Sequence, residues 1–130
     1  MLDIFIEGSV ERISPEAPVP ILSQTGVKQM PGGAANVACN LGFLGCQVRL
    51  IGAIGKDDTG SILSREIEQA PGIEFAPIIL ADRQTTVKTR YRSGGQQILR
   101  VDEEITQTLD VNALLKLTDL TSVFELFIFS

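Results

Sequence analysis

The chain has 130 residues, enough for one domain or a piece of a larger one and too few for two cores of ordinary size. It is 44% hydrophobic and 21% charged, and eleven Lys/Arg against sixteen Asp/Glu leave a formal charge of −5, which argues against a duplex-DNA binder or a polybasic membrane module. With no histidine, this span cannot hold a Ser-His-Asp or Cys-His catalytic site, an HExxH zinc site or a His-ligated haem.

The first residues, Met1-Leu2-Asp3-Ile4-Phe5-Ile6-Glu7, have no basic leader region, and no apolar run approaches the ~18 residues of a membrane span. A cytoplasmic location is expected. Residues 1–6 read as the tail of a strand. Pro15, Pro18 and Pro20 then forbid a helix and block a central strand, so residues 8–22 read as an extended, edge-like excursion. Met30-Pro31-Gly32-Gly33 breaks the chain before a predicted helix over 34–45, with apolar residues at Val37, Leu41 and Leu44 and a stop at Gly45. Cys39 and Cys46 would lie about 10 Å apart along a helix axis, too far for a disulfide. They lack metal-ligand spacing as well, and read as two buried free thiols in a reducing compartment.

Residues 47–54 predict a buried strand, 55–60 a loop, and 61–70 a helix capped by Asp58 or Thr59 with Leu63 and Ile67 facing inward. Pro71-Gly72 ends it, and 73–80 is the next strand. The order strand, helix, strand, helix, strand predicts a parallel α/β sheet. Residues 85–92 and 96–102 are two extended runs joined through Gly94-Gly95, a strong hairpin signal. Residues 111–117 look helical, and 122–129 look like a hydrophobic strand. A last strand with no helix to cover it, and a first strand without its start, suggest a fold cut short at both ends.

Four features carry chemistry. Gly32-Gly33 lets a ligand approach the backbone beside the free N–H groups of a helix start, and Asn36 offers a donor and an acceptor; a simple turn with a capping Asn fits the same residues. Asp3 ends an apolar run, where a carboxylate can hold two sugar hydroxyls or simply face solvent. Five of the eleven Lys/Arg lie between Arg83 and Arg100. Lys88, Arg90 and Arg92 alternate on one face, and pairing across Gly94-Gly95 is expected to set Gln97, Leu99 and Val101 opposite them. Such a strand suits a phosphate, or is an edge kept soluble by cations. Gly52-Ala53-Ile54-Gly55-Lys56-Asp57 is no P-loop, because the Gly spacing is short and Asp57 stands where Ser or Thr must hold magnesium.

Met30-Pro31-Gly32-Gly33-Ala34-Ala35-Asn36-Val37-Ala38 resembles the first signature of the ribokinase-like (PfkB) sugar kinases, and Gly52-Ala53-Ile54-Gly55-Lys56-Asp57-Asp58-Thr59-Gly60 resembles their turn after the second strand. Met1-Leu2-Asp3, the run from Val10 to Pro20, and Gln96-Gln97-Ile98-Leu99-Arg100-Val101-Asp102-Glu103-Glu104 resemble bacterial D-glycero-β-D-manno-heptose-7-phosphate kinase domains, often fused to an ADP-heptose synthase domain. The likeness runs along essentially the whole chain.

The resemblance implies an α/β fold over residues 1–130, the N-terminal part of a ribokinase-like, Rossmann-like three-layer domain. A small β-lid is expected at about 9–30 and 84–104, with the C-terminal ATP-binding part absent. It implies phosphorylation of heptose 7-phosphate at O1 with ATP and Mg2+, towards the ADP-heptose of the lipopolysaccharide core. Asp3, Gly32, Gly33 and Asn36 match positions that bind sugar hydroxyls, while Lys88, Arg90, Gln97 and Arg100 become candidates for the 7-phosphate and lid contacts. No catalytic or metal-binding residue is expected in this span. The family's Gly-Ala-Gly-Asp motif, with its anion hole and Asp base, lies past residue 130, so these residues alone are expected neither to catalyse nor to bind ATP. A homodimer through the lid is expected, with no nucleic-acid or membrane partner. Departures are the absent complete first strand and Ile4, Phe5 and Ile6 in place of the usual aromatic and basic residues. Two alternatives stand beside this reading: a kinase of the same fold for another sugar or nucleoside, and a non-catalytic module that pairs through the lid.

Overall fold

A computed structural model describes residues 1–106; the helix expected at 111–117 and the strand expected at 122–129 fall outside the described residues. Strands β1 (Leu2–Ile13) and β2 (Pro20–Pro31) form a long antiparallel hairpin. The excursion expected after residue 8 is therefore a continuation of β1, which is central in its sheet. The prolines cause no conflict: Pro15 and Pro18 lie in the connecting loop, and Pro20 is the first residue of β2, an edge strand.

Helix α1 (Ala34–Phe43) leads to β3 (Val48–Gly55), α2 (Asp58–Glu68) and β4 (Ile73–Leu80). Strands β3 and β4 pair in parallel, as a strand–helix–strand unit requires. The hairpin β5 (Val87–Ser93) and β6 (Gln96–Glu103) follows. The expected single parallel sheet is instead two sheets. One is β3-β4; the other has the order β2-β1-β5-β6, with β1 antiparallel to β2 and parallel to β5.

Leu2, Ala35, Ile54, Leu63 and Ile67 are buried together, with Ile4, Leu50, Ile62, Ile73 and Phe75 packed around them. Leu63 and Ile67 face inward from α2 as expected, each contributing about 1.5–3 kcal/mol by burial. The face of α1 differs from its apolar spacing. Val37 and Leu44 are exposed, and the packed side is Ala35, Ala38, Cys39 and Gly42. Small residues win because the backbone comes so close that a Cβ on Gly42 would meet the Pro71 carbonyl oxygen. The helix stops as expected at Gly45, where Gly45 N–H donates to Gly42 O and Cys46 N–H to Leu41 O. Both cysteines are free, but only Cys39 is buried; Cys46 lies past the helix end and is exposed. Burial pushes the Cys39 thiol above its ordinary pKa.

Candidate functional site

The chain turns from β2 into α1 through Gly33 at φ 55°, a conformation that side chains avoid. No side chain caps α1, whose first turn follows directly on the Gly32-Gly33 turn. Gly32 N–H donates to Met1 O at 3.0 Å, and a Cβ on Gly32 would lie 2.7–2.9 Å from the Asp3 carboxylate. A side chain at Gly32 would displace the Asp3 carboxylate, which packs directly on the turn. Asn36 is exposed in the first turn of α1, with Oδ1 accepting from Asn40 Nδ2 at 3.5 Å.

Alternation along β1 buries Leu2 and turns Ile4 to the core, so Asp3, Phe5 and Glu7 occupy the opposite face. The parallel register sets Lys88, Arg90 and Arg92 of β5 beside them. Arg90 Nη1 donates to Asp3 Oδ1 at 2.7 Å, and Arg92 Nη1 to Glu7 Oε1 at 3.1 Å. Both guanidinium groups lie over the Phe5 ring, at 5.3 and 5.9 Å from its centroid. Lys88 Nζ reaches Asp102 Oδ2 at 2.9 Å and Glu104 Oε2 at 3.2 Å, while Arg100 Nε meets Asp102 Oδ1 at 2.9 Å. These partners raise the Lys88 pKa, and Lys88 with Arg100 lowers that of Asp102.

Asp3, Lys88, Arg90 and Arg100 thus share one face, with Gly32 against Asp3. Gln97 is directly across from Arg92, as expected. Leu99 and Val101 are not on that face: they pair with Tyr91 and Thr89. A register shift between Tyr91 and Arg92 gives β6 one extra residue, Ile98, and the sequence holds no local signal for it. The basic face is also less basic than it reads, because Asp3, Glu7, Asp102 and Glu104 neutralise it. Their even spacing, at 3 and 7 in β1 and at 102 and 104 at the end of β6, was the signal that could have shown this.

A second constellation escaped the sequence reading. The cap of α2 is Asp57, not Asp58 or Thr59. Asp57 Oδ1 accepts from Gly60 N–H at 2.6 Å and Thr85 Oγ1 at 2.7 Å, and Oδ2 from Thr85 N–H at 2.7 Å. Burial alone would push this carboxyl up, but the bonds from Thr85 and Gly60 outweigh it and hold the pKa below the usual range. Thr85 is buried and its Oγ1 also accepts from Gly55 N–H at 2.8 Å, tying the start of β5 to the end of β3. A cleft of about 390 Å³ lies here, lined by Gly55, Lys56, Asp57, Ser61, Ser64 and Pro77 among others. It contains none of the expected sugar-binding residues. It does not fit a nucleotide triphosphate either, since the Asp57 carboxylate already fills the α2 N-terminus and Asp58 adds a second negative charge. Among the described residues no group of His, Cys, Asp and Glu could hold a metal ion, and no helix is long and apolar enough to cross a membrane.

The pfkB family of carbohydrate kinases matches residues 2–129 of the sequence. The chain belongs to this family. Among relatives of the pfkB chain, the bifunctional protein HldE of Azorhizobium caulinodans is 49% identical over 111 residues, covering 85% of this chain and 23% of that protein. HldE of Caulobacter sp. is 49% identical over 115 residues, or 88% and 24%. The chain spans about a quarter of the length of these relatives. A carbohydrate kinase from Agrobacterium tumefaciens superposes with a TM-score of 0.61 at 29% identity, over 78% of this chain and 33% of that one. An Arabidopsis thaliana ribokinase complexed with ribose and ATP shares the fold, with a TM-score of 0.60 at 18% identity over 78% and 32%. The fold is ribokinase-like, and the expected membership and fold class hold.

Proposed function

We propose that this pfkB chain forms the sugar-phosphate-binding part of an ATP-dependent kinase that phosphorylates D-glycero-β-D-manno-heptose 7-phosphate at O1, a step towards ADP-heptose. The observation that carries the reading is the Asp3 carboxylate packed on Gly32, held by Arg90 at 2.7 Å beside the uncapped start of α1. A carboxylate accepts from two hydroxyls at once, the α1 amides and Asn36 add donors, and Arg90 fixes the carboxylate's direction. The relatives named HldE favour a heptose phosphate over other sugars.

In this reading the parts of the sheet β2-β1-β5-β6 within about 9–30 and 84–104 are the lid over the sugar, and Lys88, Arg90, Gln97 and Arg100 belong to its phosphate side. ATP with Mg2+ supplies the phosphoryl group and is not held by residues 1–106. Exposed Val27, Leu99 and Val101 on the other face of the sheet favour pairing of two copies through it, in a cytoplasmic enzyme.

Calorimetric titration of the chain tests the reading. Heptose 7-phosphate is expected to bind, and Asp3→Asn to weaken it at least tenfold while the thermal melt stays cooperative. Equal affinity for ribose or adenosine would favour another substrate, and an unchanged Asp3→Asn variant would contradict the site.

A further inference from the structure

Resting on that reading of the sugar site, we propose that Asp57 is a positioning residue: through Thr85 it fixes the angle between the four-stranded sheet and α1, and with it the gap between Asn36 and the Asp3–Arg90 pair.

Among the described residues the chain passes twice between the sheet β2-β1-β5-β6 and the β3-β4 unit with its helices, at Gly32-Gly33 and at residues 81–86. At the first crossing Gly32 N–H donates to Met1 O, and Leu2 is buried in the core. A sheet held there alone can pivot about that point, and the second crossing removes this freedom. Ala81, Asp82 and Gln84 are exposed, yet Thr85 is only 4% exposed. Its Oγ1 donates to Asp57 Oδ1 and accepts from Gly55 N–H, and its own N–H donates to Asp57 Oδ2. The same carboxylate accepts from Gly60 N–H in the first turn of α2, so the clasp is seated on a helix.

The crossing has no slack. A Cβ on Gly55 would run into Arg83 O, the Asp57 carboxylate and Thr85 N, and one on Gly60 into Gly55 O and Thr85 Oγ1. Arg83 Nη2 donates to Ile105 O, which joins the entry to β5 to the exit from β6. The clasp then passes straight into the ladder that carries the site. Leu2 N–H donates to Thr86 O at 2.9 Å, and the next rungs pair Asp3 with Lys88 and Phe5 with Arg90. Arg90 stands five residues beyond Thr85, roughly 16 Å along the strand, so a tilt of a few degrees at the clasp displaces it by about 1 Å. Errors of about 1 Å in a positioned group are enough to cost roughly a hundredfold in rate. Asp3 and Arg90 belong to the sheet and Asn36 to α1, so a sugar that meets all three depends on this angle. A carboxylate that merely capped α2 would need only Gly60; its two bonds to Thr85 serve the sheet.

The experiment measures the angle and the affinity separately. Nitroxide labels on exposed Cys46 and on a Ser23→Cys variant of exposed Ser23 report the separation of core and sheet by pulsed electron paramagnetic resonance, since Cys39 is buried. One narrow distance distribution is expected in the otherwise wild-type chain. Thr85→Val, which leaves the bond from Gly60 to Asp57 in place, is expected to widen or shift it, as is Asp57→Asn, while Thr85→Ser restores it. Titration with D-glycero-D-manno-heptose 7-phosphate below the melting temperature of every variant is expected to weaken at least fivefold in Thr85→Val and Asp57→Asn and to stay within about twofold in Thr85→Ser. Leu63→Ala is the control for lost stability, lowering the melt without changing distances or affinity. Unchanged distances in both Thr85→Val and Asp57→Asn would overturn the proposal. So would altered distances with unchanged affinity, or a Leu63→Ala variant that reproduces both effects. The two readings fail separately: Asp3→Asn binding as tightly as wild type refutes the sugar site, whereas weakened Asp3→Asn beside a silent Thr85→Val refutes only the clasp.

Discussion

Asp57 shows how one side chain joins elements far apart in sequence. Its three accepted bonds close the start of α2 and fix Thr85, at the entrance to β5. Replacing it with Ala removes the cap and leaves a buried Thr85 amide unsatisfied, so Asp57→Ala is expected to cost about 2 kcal/mol or more in urea unfolding at pH 7. The pH dependence follows from the lowered native pKa. The contribution is complete above the unfolded value of about 3.9 and fades as pH falls through the lower native value. The gap between wild type and Asp57→Ala is therefore expected to narrow in acid; a gap constant from pH 7 to pH 2 would refute the ionic role. Gly32 acts at the same scale. A Cβ there enters the Asp3 carboxylate, so Gly32→Ala is expected to lower sugar affinity at least tenfold, checked by titration beside a melt.

At the scale of elements, each predicted helix and strand within the described residues exists, because period, Gly and Pro placement and the hairpin signal all act locally. The Gly32-Gly33 turn and the alternation of Lys88, Arg90 and Arg92 were legible for the same reason. What was not legible depends on neighbours. The packed side of α1 is set by backbone approach at Gly42, which apolar spacing does not encode. The bulge at Ile98 moved Leu99 and Val101 off the charged face, and β1 joined the sheet of β2, β5 and β6 instead of β3. A pair of variants tests the α1 account: Gly42→Ala is expected to destabilise by more than 1 kcal/mol, while Leu44→Gln, 80% exposed in the wild type, stays within about 0.5 kcal/mol. Leu63→Ala, at a site 1% exposed, is expected to cost about 2–5 kcal/mol by thermal or urea unfolding.

Across the whole molecule, the two faces of the four-stranded sheet divide the work. One carries balanced ion pairs around Phe5, ending at Asp3 and the Gly32-Gly33 turn; the other packs the core near Leu2 and exposes Val27, Leu99 and Val101 farther out. The cleft beside Asp57 lies apart from the charged face and is already internally satisfied. The proposed sugar site lies at the Asp3 end of the charged face. Its most direct test is a map of backbone amide chemical-shift changes as the chain is titrated with D-glycero-D-manno-heptose 7-phosphate. The largest changes are expected at Asp3, Gly32, Gly33, Asn36 and Arg90. Changes centred on Lys56, Ser61 and Ser64 with the Asp3 region silent would contradict it.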